Sequence, residues 1–134
     1  MDWDDLRAKA VEVQSRAHAP YSGFFVGASL LGDDGVVYVG ANVENASYGL
    51  SICAERSAVA AAVAAGTRRF TALAVVTPAK KAATCCGACR QVIAEFPPSF
   101  PVLCFTNGGD EIMTSVTELL PHAFGPGHLD GDGG

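Results

Sequence analysis

The amino-acid sequence predicts one α/β domain, with a mostly parallel central sheet covered by helices on both faces. The chain has 134 residues, of which 49% are hydrophobic and 17% are charged. This size and balance are typical of a compact globular protein with a single core. Its segments follow the order α-β-β-α-β-α-β-β-α, and strands that alternate with helices favour a parallel sheet. We find no repeat and no linker, so we expect one domain over residues 1–134, with a flexible tail from about residue 126.

The first half of the chain contains a helix, a hairpin and a second helix. Apolar residues recur at helical spacing over residues 3–17, with Asp2 before them as a cap. Two β-rich apolar runs then flank the turn GDDG at residues 32–35, which predicts a hairpin. An alanine-rich segment over residues 53–66 predicts a helix, because it ends in a glycine that can terminate one.

The second half of the chain adds strands and helices in alternation. Short apolar runs bounded by turn residues predict the strands, and two consecutive prolines end the longer helix. The predicted segments are a strand at 72–77, a helix at 87–96, a hairpin-like pair of strands at 102–105 and 111–114, and a short helix at 115–120.

Charge and composition disfavour several classes of function. The net charge is −5 at pH 7, whereas a nucleic-acid-binding surface needs a basic face, so we expect no polymeric nucleic-acid partner. The N-terminus lacks the features of a secretory signal, and the apolar run at 58–65 is too short to span a membrane. We therefore expect a soluble cytoplasmic protein. In that reducing compartment, five cysteines with three of them in 85–89 indicate metal ligation or a reactive thiol rather than disulfides.

Three cysteines lie at the predicted starts of two helices. Cys53 begins one helix, and Cys86 and Cys89, in C-x-x-C spacing, begin another. Helices that follow adjacent parallel strands start at the same edge of an α/β sheet, where binding crevices form. Helix N-termini also favour thiolates, because unpaired N–H groups carry partial positive charge there. Three thiolates can hold zinc at about 2.3 Å each and leave a fourth, catalytic position open.

Two charged residues close to Cys53 suit a zinc site that activates water. Zinc lowers the pKa of its bound water from about 15.7 to about 7. Glu55 lies two residues after Cys53, close enough to accept a proton from such a water and pass it to a ring nitrogen and a leaving amine. Arg56 would donate hydrogen bonds to the ligand sulfurs and offset their negative charge.

Two segments together resemble a known enzyme family. NVENASYGLSICAER at residues 42–56 and CCGACRQV at residues 85–92 resemble the small zinc-dependent cytidine deaminases, and the resemblance extends over residues 19–126. It implies a three-layer α-β-α sandwich around a five-stranded mixed sheet. It also implies one Zn²⁺ per subunit and a homotetramer in which neighbouring subunits complete each active site.

The resemblance implies a role for each residue that matches the family's motifs. Cys53, Cys86 and Cys89 would be the zinc ligands, and Glu55 would be the proton shuttle. The implied substrate contacts are hydrogen bonds of Asn42 and Glu44 with the ribose hydroxyls, packing of Phe24 on the pyrimidine, recognition of the base by the backbone of Ala54, and contacts of Tyr48 and Phe124 across subunits.

The implied reaction is hydrolytic deamination in pyrimidine salvage. A zinc-activated hydroxide would attack C4 of free cytidine or 2′-deoxycytidine, while Glu55 protonates N3 and then the departing amine. The products would be uridine or 2′-deoxyuridine and ammonia. Cys85 and Phe25 depart from the family pattern, because each replaces a proline; Cys85 loses the rigidity of proline and adds a thiol beside a ligand. We expect Phe25 and Cys104 to be core residues.

Three other functions remain open from the sequence. The first is deamination of a modified cytosine nucleoside, such as an antibiotic. The second is a non-catalytic, zinc-stabilised binding module in which Cys85 or Cys104 supplies a fourth ligand. The third is a dithiol oxidoreductase that uses Cys86 and Cys89, although Cys53 would then be unexplained.

Overall fold

The structure, a computed structural model, describes residues 1–129 and follows the predicted order of elements. They are α1 (Trp3–Gln14), β1 (Gly27–Gly32), β2 (Val37–Ala41), a 3-10 helix (Tyr48–Leu50), α2 (Ala54–Ala64), β3 (Phe70–Thr77), α3 (Gly87–Ala94), β4 (Pro101–Thr106), β5 (Glu111–Ser115), α4 (Val116–Leu119) and a second 3-10 helix (Pro126–Leu129). The predicted tail therefore begins in a 3-10 helix, and its part beyond Leu129 lies outside the described residues. Among the described helices, none has the length and apolar character needed to cross a membrane.

The five strands form one mixed sheet in the order β2-β1-β3-β4-β5. Of its four strand pairs only β3–β4 is parallel, so the mostly parallel sheet expected from the alternation of elements is wrong. The reason is that β1 lies between β2 and β3 and runs antiparallel to both, while β5 returns along β4 as a hairpin. The mixed five-stranded sheet implied by the family resemblance is confirmed.

Helices cover both faces of this sheet and complete the three-layer sandwich. On one face α1 packs through Leu6 and Ala10 against side chains of β3 and β4. On the other face α2, α3 and α4 pack against the alternate side chains of the same strands. From Ala72 to Val76 β3 is buried on both faces, which explains why this part of its sequence is continuously apolar rather than alternating.

Two glycines allow helices to approach the sheet closely, one on each face. At Gly27 in β1, a Cβ atom would lie 2.0 Å from the carbonyl oxygen of Ala10 in α1. At Gly40 in β2, a Cβ atom would lie 2.3 Å from the backbone nitrogen of Ala58 in α2. A larger residue at either position would push a helix away from the sheet. The contact at Gly40 also fixes the position of Cys53, because Gly40 packs against the first turns of α2 and Cys53 directly precedes that helix.

The topology also explains why the starts of α2 and α3 meet. β2 and β3 are not adjacent, contrary to the expectation that neighbouring parallel strands precede these helices. Both strands run antiparallel to β1, however, so they run in the same direction and their carboxyl ends lie at one edge of the sheet. The chain enters α2 and α3 from that edge, where α/β proteins form their binding crevices.

Candidate active site

Three cysteine side chains converge where α2 and α3 begin. Cys53 is the N-cap residue of α2, Cys86 is the N-cap residue of α3, and Cys89 lies in the first turn of α3. Their sulfur atoms all lie within 4.8 Å of one another. The structure therefore brings together the three ligands expected from the sequence.

The arrangement of these sulfurs suits a zinc ion. Sulfur ligands placed 2.3 Å from a tetrahedral ion lie about 3.8 Å apart, so separations of up to 4.8 Å close with small side-chain rotations. Neither N-cap side chain makes a capping hydrogen bond, which leaves first-turn N–H groups free to stabilise thiolates. Within residues 1–129 no fourth cysteine, histidine or carboxylate joins the group. Three protein ligands leave one position for water or substrate, as in catalytic zinc sites.

The thiols influence one another's protonation. Hydrogen bonding from the Cys89 thiol lowers the pKa of Cys53 to about 6. The same interaction with Cys53, reinforced by burial, raises the pKa of Cys89. Both shifts come from the same contact, so within this pair Cys53 carries a negative charge more readily than Cys89.

The sulfur group opens onto a cavity of about 370 Å³ at the carboxyl edge of the sheet. One side of the cavity, the helix wall, is formed by Cys53, Ala54, Glu55 and Cys86. Another side, the loop wall, is formed by Phe24, Val26, Asn42 and Glu44. The cavity therefore contains all but three of the residues expected to contact zinc or substrate; the three that do not line it are Cys89, Tyr48 and Phe124.

Glu55 places a carboxylate inside the helix wall. It lies in the first turn of α2 and is only 6% exposed, although it lines the cavity. A solvated helix carboxylate would instead be open to bulk water, so burial at this position favours a role inside the cavity. Ala54, the residue before it, is fully buried and also lines the cavity.

A short β-bridge holds the loop wall beside the helix wall. The backbone N–H of Val43 donates to the carbonyl of Ile52, and the N–H of Ile52 donates to the carbonyl of Val43, both at 2.9 Å. Asn42 and Glu44 flank the first residue of this bridge, and Cys53 follows the second. The backbone thus fixes the spacing between the predicted ribose contacts and the metal ligands.

Asn42 holds the segment that leads into β1. Its Nδ2 donates to the carbonyl oxygen of Phe24 at 2.9 Å, and its Oδ1 accepts from the N–H of Val26 at 2.9 Å. An amide side chain that is anchored at both ends has a fixed orientation. It can still offer its second proton and second lone pair to a ligand.

Glu44 is anchored to the turn before that segment. Its Oε1 accepts hydrogen bonds from the N–H groups of Tyr21 and Ser22, both at 3.1 Å, and its other oxygen accepts from the Ser22 hydroxyl. The hydroxyl of Ser22 and, after it, the two N–H groups lower the pKa of Glu44. Glu44 is therefore an ionised acceptor with a fixed orientation at the cavity.

The two adjacent phenylalanines point to different sides of the chain. Phe24 is 43% exposed and lines the cavity, as expected of a ring that packs on a base. Phe25 is 39% exposed and lines a separate groove beside Val11 and Gln14 of α1. The expectation that Phe25 belongs to the core is therefore wrong. Successive residues of an extended segment face opposite sides, and at Phe25 that side is only partly covered.

Tyr48 and Phe124 do not reach the cavity of their own chain. Tyr48 lies in the first 3-10 helix, is 74% exposed and packs edge-on against Tyr21 at 5.9 Å between ring centroids. Phe124 is 59% exposed and stacks on His128, with 5.5 Å between the ring centroids.

Arg56 contributes through its charge to the low pKa of Cys53. The hydrogen bonds that we expect from Arg56 to the ligand sulfurs stay a prediction.

The two remaining cysteines lie beneath the cavity. Cys85 and Cys104 are both buried, belong to the same core cluster and line the cavity floor, so the core position expected for Cys104 is confirmed. The neighbouring sulfur of Cys104, followed by burial, raises the pKa of the Cys85 thiol. Neither residue joins the sulfur group in the described part of the chain, which removes the basis for a four-cysteine structural site.

Arg90 is a structural residue of the site that the sequence analysis did not single out. Its Nε donates to the carbonyl of Cys85 at 2.7 Å, its Nη1 donates to the carbonyl of Leu119 at 3.0 Å, and its Nη2 donates to the Thr84 hydroxyl at 2.6 Å. It therefore ties the loop before α3 to the end of α4. Its position directly after Cys89 was the available signal.

Comparison with known proteins identifies the family. The family described as "Cytidine and deoxycytidylate deaminase zinc-binding region" matches residues 2–104. A cytidine deaminase from Sporosarcina psychrophila is 48% identical over 125 residues, which cover 92% of each chain. The crystal structure of a cytidine deaminase from Burkholderia pseudomallei is 47% identical, superposes with a TM-score of 0.89, and is matched over 92% of this chain and 100% of its own.

A further solved structure agrees with these matches. The cytidine deaminase from Mycobacterium tuberculosis is 42% identical, with a TM-score of 0.80 over 93% of this chain and 98% of its own. The agreement extends over nearly the full length of each relative, and the family's zinc-binding region includes the three clustered cysteines. The chain therefore belongs to the cytidine deaminase family.

Proposed function

We propose that the chain hydrolyses free cytidine and 2′-deoxycytidine to uridine and 2′-deoxyuridine, with release of ammonia, in pyrimidine salvage. The observation that carries this proposal is the cavity itself. A three-sulfur group and a buried carboxylate open onto the same space as two oriented polar side chains and an exposed aromatic ring. Those features are what hydrolysis of an amine on a flat, sugar-linked ring requires.

The helix wall would carry out the reaction. Cys53, Cys86 and Cys89 would hold zinc, which when bound lowers the pKa of water to about 7 and so supplies a nucleophile at neutral pH. Glu55 would take one proton of the water and deliver it to N3 of the pyrimidine; once the oxygen has added at C4, Glu55 would take the remaining hydroxyl proton and deliver it to the amine, which leaves as ammonia while C4 becomes a carbonyl. The backbone of Ala54 would recognise the base and hold C4 towards the metal position.

The loop wall would bind the nucleoside. The anchored side chains of Asn42 and Glu44 would hydrogen-bond to the ribose hydroxyls, with Glu44 as an acceptor in its ionised form. The ring of Phe24 would pack on the pyrimidine. Because these groups are already held by backbone contacts, substrate binding costs little additional ordering.

Charge in the cavity favours a nucleoside over a nucleotide. Among the described residues that line it there is no lysine, arginine or histidine, whereas Glu44 and Glu55 are both present. A 5′-phosphate would enter a site without a cationic partner and close to two carboxylates. The net charge of −5 is likewise unfavourable for polymeric nucleic acid.

We also propose that the active enzyme is a cytoplasmic homotetramer of single-domain subunits. Tyr48 and Phe124 support the tetramer, because large exposed aromatic side chains suit a contact with another subunit. In that assembly they would complete the active site of a neighbouring chain. Their absence from the cavity of their own chain fits this role.

A substrate panel on the purified protein tests the proposal. Loss of cytidine absorbance would be followed with cytidine, 2′-deoxycytidine, cytidine 5′-monophosphate and a modified cytosine nucleoside, with sedimentation velocity on the same sample. We expect turnover of the first two nucleosides, little turnover of the monophosphate and sedimentation as a tetramer. Selective turnover of the modified nucleoside would support the alternative substrate class, and turnover of the monophosphate above cytidine would contradict the proposal.

A further inference from the structure

Two amide side chains outside the cavity form a reciprocal pair behind the loop wall. Gln14 lies at the end of α1, and Asn107 follows β4. Gln14 Nε2 donates to Asn107 Oδ1 at 2.9 Å, and Asn107 Nδ2 donates to Gln14 Oε1 at 2.9 Å. Gln14 Nε2 also donates to the carbonyl oxygen of Phe25 at 2.9 Å. Because a backbone carbonyl can only accept, the contact with Phe25 fixes the orientation of both amides.

Residues 24–26, whose middle carbonyl Gln14 binds, form a thin partition between the cavity and a groove on the α1 side. Phe24 and Val26 line the cavity, whereas Phe25 lines a groove of about 430 Å³ on the other side, together with Val11 and Pro78. The ring of Phe25 is too exposed to anchor the partition in the core. Val26 packs against the core, and polar contacts to the backbone hold the rest of the partition beside the groove.

Polar contacts hold the partition from both sides. On the cavity side Asn42 binds the carbonyl of Phe24 and the N–H of Val26. On the groove side Gln14 binds the carbonyl of Phe25. The N–H of Asn107 in turn donates to the carbonyl of Thr77 at 3.1 Å, so the amide pair also attaches to the end of β3.

We propose that Gln14, supported by Asn107, is a positioning residue that holds the Phe24 ring in place to receive the pyrimidine. This inference rests on the proposed function, because it takes Phe24 as the surface on which the base packs. Gln14 itself touches neither the cavity nor the metal ligands. It acts on substrate binding through the backbone of Phe25.

Two substitutions at Gln14 separate the donor function from the simple presence of a polar side chain. Gln14→Glu keeps the shape of the side chain but places carboxylate oxygens against the carbonyls of Phe25 and Asn107. Gln14→Lys retains an N–H donor for both carbonyls but loses the oxygen that accepts from Asn107 Nδ2, so it tests the donor contacts separately from the reciprocal pair. Ser29→Ala is the matched control, because the Ser29 hydroxyl also joins α1 to the sheet, by donating to the carbonyl of Leu6 at 2.7 Å, but does not contact the partition.

Three measurements on the zinc-loaded enzymes test the proposal. The first is hydrogen exchange of the peptide that covers residues 21–26, the second is the split between KM and kcat for cytidine, and the third is zinc content. For Gln14→Glu we expect faster exchange and a KM about fivefold higher, the effect of losing one neutral hydrogen bond, with kcat and zinc content near wild type. Gln14→Lys and Ser29→Ala should both retain the wild-type KM.

The outcomes that overturn the proposal are specific. An unchanged KM in Gln14→Glu, or an equal rise of KM in Ser29→Ala, would show that Gln14 has no positioning role. A Gln14→Lys protein with the same raised KM as Gln14→Glu would exclude the donor contact as the cause. If the wild-type protein does not turn over cytidine, the proposed function fails instead. In that case unchanged hydrogen exchange of residues 21–26 in Gln14→Glu would by itself overturn the positioning role of Gln14.

Discussion

The helix wall and the loop wall of the cavity hold their polar groups by different means. In the helix wall, Cys53 and Cys86 are N-cap residues, and Glu55 lies one turn or less inside α2. Their positions follow from where two helices begin and from packing against the sheet. In the loop wall, Asn42 and Glu44 are held by hydrogen bonds to the backbone of residues 21–26.

This difference matches the two tasks proposed for the site. Groups that react must be placed by elements that cannot shift without loss of the core, and the helix wall is built in that way. Groups that bind and release a nucleoside can be placed by a chain segment with exposed rings and a groove behind it. Substitutions in the helix wall should therefore affect the reaction or the metal, whereas substitutions in the loop wall should affect KM.

The largest effect in this comparison is expected from a pair of buried cysteines. Cys89→Ala should lose zinc and lower the rate of cytidine deamination more than about 100-fold, since even outer partners of metal ligands contribute 10–100-fold. Cys104→Ala, at an equally buried position, should retain zinc and activity and lose about 1 kcal/mol of unfolding free energy. Metal analysis measures the zinc content of both variants, absorbance assays measure their deamination rates, and denaturant unfolding measures their stability. Loss of zinc from the Cys104 variant would mean that the sulfur group extends beyond three cysteines.

The next effect concerns the anchor of the loop wall. Asn42→Ala removes the proposed ribose contact and both bonds to the partition, so we expect KM for cytidine to rise about 10- to 100-fold, as for the loss of two to three hydrogen bonds of about 1 kcal/mol each. Asn45→Ala is the control, because the Asn45 side chain accepts only from the nearby N–H of Ser47. Steady-state kinetics with cytidine give KM and kcat for both proteins. A fall in kcat with KM unchanged in the Asn42 variant would argue against the division between the walls.

A smaller effect should distinguish the two adjacent rings. Phe24→Ala should raise KM about tenfold, since stacking of a base on an aromatic ring contributes 1–3 kcal/mol. Phe25→Ala should leave KM near wild type, because that ring faces the groove and its carbonyl remains in place. Equal increases in both variants would show that the base is not packed on Phe24 alone.

The smallest effect is a pH dependence at Glu44. The pKa of Glu44 is lower in the folded protein than its ordinary value of 4.5, so the ionised form stabilises the fold above that pH. This contribution is lost as the pH falls from 4.5 through the lowered pKa. Denaturant unfolding of wild type and Glu44→Gln should show a stability difference at neutral pH that shrinks over this acidic range. A difference that stays constant with pH would mean that the Ser22 contacts do not depend on the charge.

The sequence could predict the helix wall because its residues are tied to local patterns. Ligand spacing, a helix start and a carboxylate two residues after Cys53 all lie within short segments. The direction of the strands was not predictable in this way. Whether a hairpin strand such as β1 inserts between two others depends on contacts distant in the chain, which alternation of elements does not contain.

The loop wall and its surroundings were also less accessible to sequence reasoning. Phe25 has a large apolar side chain of the kind that is usually buried, and only the course of the backbone shows that it faces an open groove. The bonds of Gln14 to Phe25 and of Arg90 to Leu119 join residues far apart in the sequence. A polar side chain gives no local sign that its partner is a distant carbonyl.

The most direct test of the account compares wild type with Glu55→Ala for zinc content and for conversion of cytidine to uridine. We expect one zinc per chain in both proteins, turnover by the wild type, and a rate in the variant that is lower by about 10²- to 10⁴-fold, as for loss of a general acid–base group. This result would place the proton transfers on Glu55 and show that Glu55 is not a zinc ligand. A zinc-loaded Glu55→Ala protein that deaminates cytidine at the wild-type rate would contradict the central claim that the helix wall carries out the reaction.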